Sequence, residues 1–203
     1  MESNEFFTYQ DLMKAGAKAI LFQYGKLHYP QQDIDQRDLR EAVVGEERGL
    51  LGSKAYVRDH EEELDKIVLN INLDMIGTYM GKFIACVSAE EKLSHYISYM
   101  AAEVGFPVAS KTGVYSSDST PFADKGIPAV SFARIAGGNV APIHCRYDLK
   151  DVMSMEQLQR DIDFLAIFTN RFANAAVCPV AREIPEDIKK QLDEYLFRKR
   201  KDL

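Results

Sequence analysis

Between Lys66 and Asp74 the chain reads Lys-Ile-Val-Leu-Asn-Ile-Asn-Leu-Asp, a β-rich and nearly continuously apolar run that ends in a carboxylate. A run of this kind predicts a central strand buried on both faces, and therefore a sheet covered by helices on either side. The surrounding pattern agrees. Lys82 to Val87 predicts a second strand, Ala89 to Val104 an amphipathic helix, and Ile127 to Phe132 a third strand entered through Gly126. Ser154 is placed to cap a long helix with Glu156 and Gln157 in its first turn, and its apolar stripe includes Leu158, Ile162, Leu165, Phe168 and Phe172. Pro185 opens a last helical segment. Strands alternating with helices argue an α/β layered fold with a largely parallel sheet.

Upstream the signals weaken. Thr8 to Ala17 predicts a short helix and Ala19-Ile-Leu-Phe22 the start of a strand, but Gly25 to Arg40 is polar and reads as a loop or a short surface helix. Ala42-Val-Val44 is a brief apolar run, and Glu46 to His60 has helical spacing with an irregular first turn at Gly49 and Gly52. The division expected is an N-terminal segment, 1–40, of uncertain role and an α/β domain over 41–203.

A length of 203 residues with 46% hydrophobic content suits one well-buried domain. The net charge of −6 leaves no basic face for a phosphate backbone, so nucleic acid is not an expected partner. The only basic cluster, Arg198 to Lys201, reads as a solvated last helical turn. Cys86, Cys145 and Cys178 are odd in number and widely spaced, which suits free thiols rather than a disulfide framework. With no secretory leader pattern and no long apolar span, the expectation is a cytoplasmic protein without membrane contact.

Chemistry-bearing residues gather where strands end, the usual place for sites in open α/β sheets. Three stretches stand out: Gly45-Glu-Glu-Arg-Gly-Leu-Leu-Gly-Ser53, Asn72-Leu-Asp-Met-Ile-Gly77, and Pro142-Ile-His-Cys-Arg-Tyr-Asp148. Each alone has an ordinary reading: acids favour a helix start, an Asp caps a turn, and a lone His is usually structural. Together they supply the mixed oxygen and nitrogen donors that suit zinc in a hydrolytic site. A second carboxylate beside a ligand carboxylate can take a proton from a metal-bound water.

With Ser117-Asp118 ahead of Phe122 and Gly126-Ile-Pro-Ala-Val130, these motifs resemble the co-catalytic zinc aminopeptidases related to glutamate carboxypeptidase and glutaminyl cyclase. The resemblance runs from about Val43 to Phe172. It implies a three-layer α/β/α zinc-exopeptidase fold with a mixed, largely parallel sheet, and a metal-dependent exopeptidase acting on peptides. It also implies Glu46 as general base, Glu47 as ligand of one zinc with His144, and Asp74 as ligand of the other. Asp118 would help wall the substrate pocket, where the family often has His in place of Ser119. Tyr115 is a candidate for stabilising the tetrahedral intermediate, with a packing or surface role as the alternative. Family members are often exported.

One part of the family pattern has no counterpart here. The family places a His-x-Asp motif and a metal-bridging Asp upstream of the Glu pair, whereas His28 is followed by Tyr29 and Pro30. Asp33 or Asp35 would leave only about ten residues before Glu46, too few for a helix, a return loop and a strand. The expectation is therefore a fold incomplete at its N-terminal part, binding no zinc or one zinc weakly instead of two. Two readings stay open: an exopeptidase, or an inactive relative serving as a binding or oligomer-forming protein. A missing strand would leave an edge to be covered by Ala19–Phe22 or, as favoured here, by a second copy in a two-fold homodimer.

Overall fold

The computed structural model describes residues 46, 49–136, 149–196 and 198. Its elements, in chain order, are α1 (Leu51–Asp59), β1 (Asn70–Leu73), β2 (Lys82–Ser88), α2 (Glu91–Glu103), β3 (Ala109–Thr112), α3 (Ser119–Asp124), β4 (Ala129–Ile135), α4 (Met155–Ala173) and α5 (Glu186–Tyr195). The expected helix before Ala17, the strand at Ala19–Phe22, Glu47, His144 and Cys145 lie outside the described residues.

The four strands form one sheet in the order β1-β4-β2-β3. The outer pairs, β1 with β4 and β2 with β3, are parallel, and the central pair β2 with β4 is antiparallel. The sheet is thus mixed and largely parallel, as expected, and helices cover both faces. Alternation along the strands assigns the faces. Ile71, Leu73, Phe83, Ala85, Val87, Val130 and Phe132 point toward α2 and α4, joined there by Leu93, Ile97, Phe164 and Phe168. Phe164 stacks on Phe106 with ring centroids 4.3 Å apart and meets Phe83 and Phe132 edge-on. On the opposite face Ala129 packs with Ala123, Ile188 and Leu192 of α3 and α5, and α1 reaches Phe122 and Ile127 through Val57. The result is three layers.

Local chemistry sets the element ends. Ser154 caps α4 by accepting the Gln157 backbone N–H at 3.2 Å, and Pro185 precedes the first residue of α5. β1 is shorter than Lys66–Asp74, because Glu61–Lys66 is a 3-10 turn and the carbonyls of Leu64, Asp65 and Ile67 accept from the Arg182 guanidinium. Its residues are all half-buried, and among the described residues its outer edge has no neighbouring strand. Among the described residues β1 thus stands at one end of the strand order.

Cys86 is buried and Cys178 exposed, both as free thiols. Arg198 of the basic cluster binds the Asp124 carboxylate at 2.5 and 2.6 Å. No helix among the described residues is long and apolar enough to cross a membrane.

Candidate active site

Asp74 follows β1 directly, and its backbone N–H donates to the Phe132 carbonyl of β4 at 2.9 Å. Because β1 and β4 are parallel, Asp74 and Ala136 leave the sheet on the same edge. The next residue, Met75, has φ 58°, the left-handed region that a branched or bulky L-residue adopts at a cost of about 1 kcal/mol or more. That conformation turns the chain sharply after the carboxylate. Gly77, at φ 78°, then passes so close to α4 that a Cβ there would stand 2.7 Å from the Leu158 side chain.

Glu46 sits before α1 and is half-buried. Its carbonyl accepts the N–H groups of Gly49 and Leu50, both at 2.9 Å, in a turn that needs positive φ at both residues. Leu50 at φ 60° is the irregular first turn expected from the glycines around it. Ser53, one turn into α1 and fully buried, donates to the Asp118 carboxylate at 2.6 Å.

The segment after β3 folds back over the sheet face that carries Asn72, Cys86 and Ser131. Ser117, Ser119 and Ser131 close a ring of hydroxyls with O···O distances of 2.8, 2.6 and 2.7 Å. In such a ring each hydroxyl can donate once and accept once, so three buried polar groups are satisfied without water. Thr120 adds a bond to the Tyr115 carbonyl at 2.9 Å.

This arrangement gathers four of the residues expected at the site. Tyr115 is pushed up to about 12 by burial and then by the negative charges of Asp74, Cys86 and Glu46. Asp118 is pushed up to about 6 by burial and by Glu46, against the Ser53 hydrogen bond that favours its ionised form. Glu46, Asp74, Tyr115 and Asp118 therefore share one electrostatic neighbourhood. Glu47 and His144 lie outside the described residues, and among the described residues no three His, Cys, Asp or Glu side chains are grouped as a metal site. The carboxylate-rich chemistry fits a cation, since both shifts come from burial and negative charge that a bound cation would offset.

Three contributors were not singled out from sequence: Ser53, Arg134 and Asp161. The last carries the clearest signal, an acid on the apolar stripe of α4 between Leu158 and Phe164, where it is fully buried.

A mixed sheet between helical layers, with acids and a tyrosine over one strand end, defines a zinc-exopeptidase-like α/β protein. The sequence profile of peptidase family M28 matches residues 10–168, and the chain belongs to that family. The aminopeptidase YwaD of Bacillus subtilis (strain 168) is 37% identical over 165 residues, covering 74% of this chain and 34% of that protein. The solved structure of BSAP, a zinc aminopeptidase from Bacillus subtilis, superposes with a TM-score of 0.54 at 31% identity, over 73% of this chain and 38% of that one. The peptidase M28 precursor from Shewanella amazonensis SB2B shares the fold, with a TM-score of 0.54 at 23% identity, over 71% of this chain and 33% of that one. The chain spans about a third of the length of the curated relative it matches.

Proposed function

We propose that the chain carries part of a metal-dependent exopeptidase site of the aminopeptidase type, acting on the N-terminal residue of peptides. The observation that supports this best is the meeting of Glu46 and Asp74 around Tyr115, the groups that the family resemblance assigns to base, ligand and intermediate-stabilising roles. Zinc is the metal that the family implies. The resemblance assigns Glu47 with His144 to one zinc and Asp74 to the other, and all three would converge on one pocket. Asp74 and Ala136 leaving by one sheet edge favours this convergence, because His144 follows Ala136 after a short segment.

Zinc held there would supply Lewis acidity toward the scissile carbonyl and toward the attacking water. The protein's own groups do the rest. Glu46 takes the proton from the attacking water and delivers it to the leaving amine. Tyr115, held as a neutral phenol by its raised pKa, donates a hydrogen bond to the oxygen that becomes negative. Asp118, braced by Ser53, walls the substrate pocket.

At most one zinc is expected, bound weakly, because two or fewer ligands per ion make a poor site. Calorimetric titration of the chain with zinc should show that weak site, and Asp74→Asn should abolish it while Glu46→Gln keeps it. Absent binding by the parent chain, or unchanged affinity in Asp74→Asn, overturns the ligand assignment. A second reading, a relative that binds but does not hydrolyse, is favoured by the lack of a His-x-Asp motif before Glu46. Turnover of aminoacyl-anilides separates the two: robust hydrolysis lost in Glu46→Gln supports the enzyme, and zinc binding without turnover supports the inactive relative.

A further inference from the structure

Behind the Asp74 loop lies a charged pair that the proposed chemistry does not use. Arg134, the penultimate residue of β4, and Asp161, one-third of the way along α4, are 6% and 0% exposed. Their side chains form a two-pronged ion pair: Arg134 Nε donates to Asp161 Oδ2 at 3.0 Å and Nη2 donates to Oδ1. A buried pair of this kind seldom stabilises a fold more than apolar residues of the same shape would. Its other bonds show what it holds.

Asp161 Oδ2 also accepts the Gly77 backbone N–H at 2.9 Å, and Oδ1 accepts from Gln157 Nε2 at 3.1 Å. Arg134 Nη1 donates to the Gly81 carbonyl at 2.9 Å, and the Arg134 backbone N–H donates to the Met75 carbonyl at 3.1 Å. The guanidinium lies over the Phe83 ring, 5.3 Å from its centroid. The two side chains thus grip the loop at Gly77 and Gly81 while the Arg134 backbone N–H holds it at Met75, and these are the three residues there with positive φ. The start of α4 completes the hold: Ser154 N–H donates to the Gly77 carbonyl at 2.9 Å and Tyr79 N–H to the Val152 carbonyl at 3.0 Å.

The geometry points to Arg134 and Asp161 as positioning residues that lock the loop after Asp74 against β4 and α4, and so present the Asp74 carboxylate to the pocket. The inference rests on the reading of Asp74 as a metal ligand. The strained turn at Met75 does not persist by itself; the ion pair fixes the backbone on its far side. A group that orients a metal ligand contributes to affinity without touching the ion.

The test uses the full chain with zinc as the probe. Asp161→Asn should weaken zinc affinity about 10- to 100-fold in calorimetry and speed amide exchange at Gly77 and its neighbours. Since that variant leaves Arg134 buried without its anion, a cost that threatens the fold, Arg134→Met/Asp161→Leu is measured beside it. The double variant should melt within a few degrees of the parent yet keep the zinc and exchange defects, which a purely structural role would not produce. Parent-like zinc affinity and parent-like exchange in the folded double variant overturn the inference, with the Asp74 reading left intact when Asp74→Asn still loses zinc. Where the parent itself binds no zinc, the ligand reading fails, and exchange at Gly77 alone decides whether the pair locks the loop.

Discussion

Asp74 and Asp118 share an electrostatic neighbourhood with Tyr115 and Glu46, yet the chain behind Asp74 is gripped by a buried ion pair while the chain behind Asp118 rests on a ring of neutral hydroxyls. The difference follows from what surrounds each loop. Beyond Asp74 the backbone passes through positive φ at Met75, Gly77 and Gly81, and its carbonyls and N–H groups bond to Arg134 of β4, to Asp161 of α4 and to the residues leading into α4. Charged donors and acceptors there satisfy several backbone groups at once. Behind Asp118 the hydroxyls lie next to a carboxylate already strained by burial and by Glu46. A further buried acid would deepen that strain, whereas serine hydroxyls bridge the loop to β4 with no net charge. The two loops are held by different means, one against backbone strain and the other without added charge.

The largest effect should come from breaking the ionic side alone. Arg134→Ala removes one partner and leaves the Asp161 carboxylate fully buried, which costs about 3–5 kcal/mol of unfolding free energy. Denaturant melts at neutral pH should show that loss. A cost near 1 kcal/mol would mean that Asp161 is satisfied by Gly77 and Gln157 without the arginine.

The neutral side should yield far less. Ser131→Ala removes the ring member that links β4 to the loop, but Ser117 and Ser119 remain bonded to each other at 2.8 Å. A loss of about 1 kcal/mol is expected, the worth of one buried hydrogen bond and part of a second. A loss equal to that of Arg134→Ala in the same melts would erase the distinction between the two loops.

The contrast also marks what could be read in the residues. The helices at Glu91–Glu103 and Met155–Ala173 and the strand at Lys82–Ser88 follow from apolar periodicity and from the Ser154 cap, all local signals. β3 is Ala-Ser-Lys-Thr, with no apolar alternation, and is a strand because it pairs with β2. α3 is six residues long with Pro121 inside it, too short for a period to show. The candidate acids Glu46, Asp74 and Asp118 could be singled out because each lies in a compact motif at a strand or helix end. Arg134 and Asp161 were not, since their partnership spans 27 positions and exists only once β4 and α4 are packed. Ser53 stood in plain view within Gly-Leu-Leu-Gly-Ser, but its task appears only when Asp118, 65 positions away, is brought beside it.

The smallest effect concerns pH and the same Asp118. Its folded-state value of about 6 lies above the ordinary 3.8, so the folded protein binds this proton more tightly than the unfolded chain does. As pH falls from about 6 toward 3.8, the folded state takes up the proton first and the penalty of burying the ionised group is relieved. Stability from this residue therefore declines as pH rises through that window and stays at its lower level above it. Asp118→Asn keeps an oxygen to accept from Ser53 yet cannot ionise, so it should remove this slope and melt at a higher temperature at pH 7. The group is partly exposed, and solvent screening limits the gain to about 1 kcal/mol or less, at most about 2–4 °C for a chain of this size. Thermal melts of both proteins at pH 4, 5, 6 and 7, without metal, read the difference. Parallel curves across that range would show that Asp118 does not carry the penalty, and that its loop tolerates charge as well as the loop behind Asp74 does.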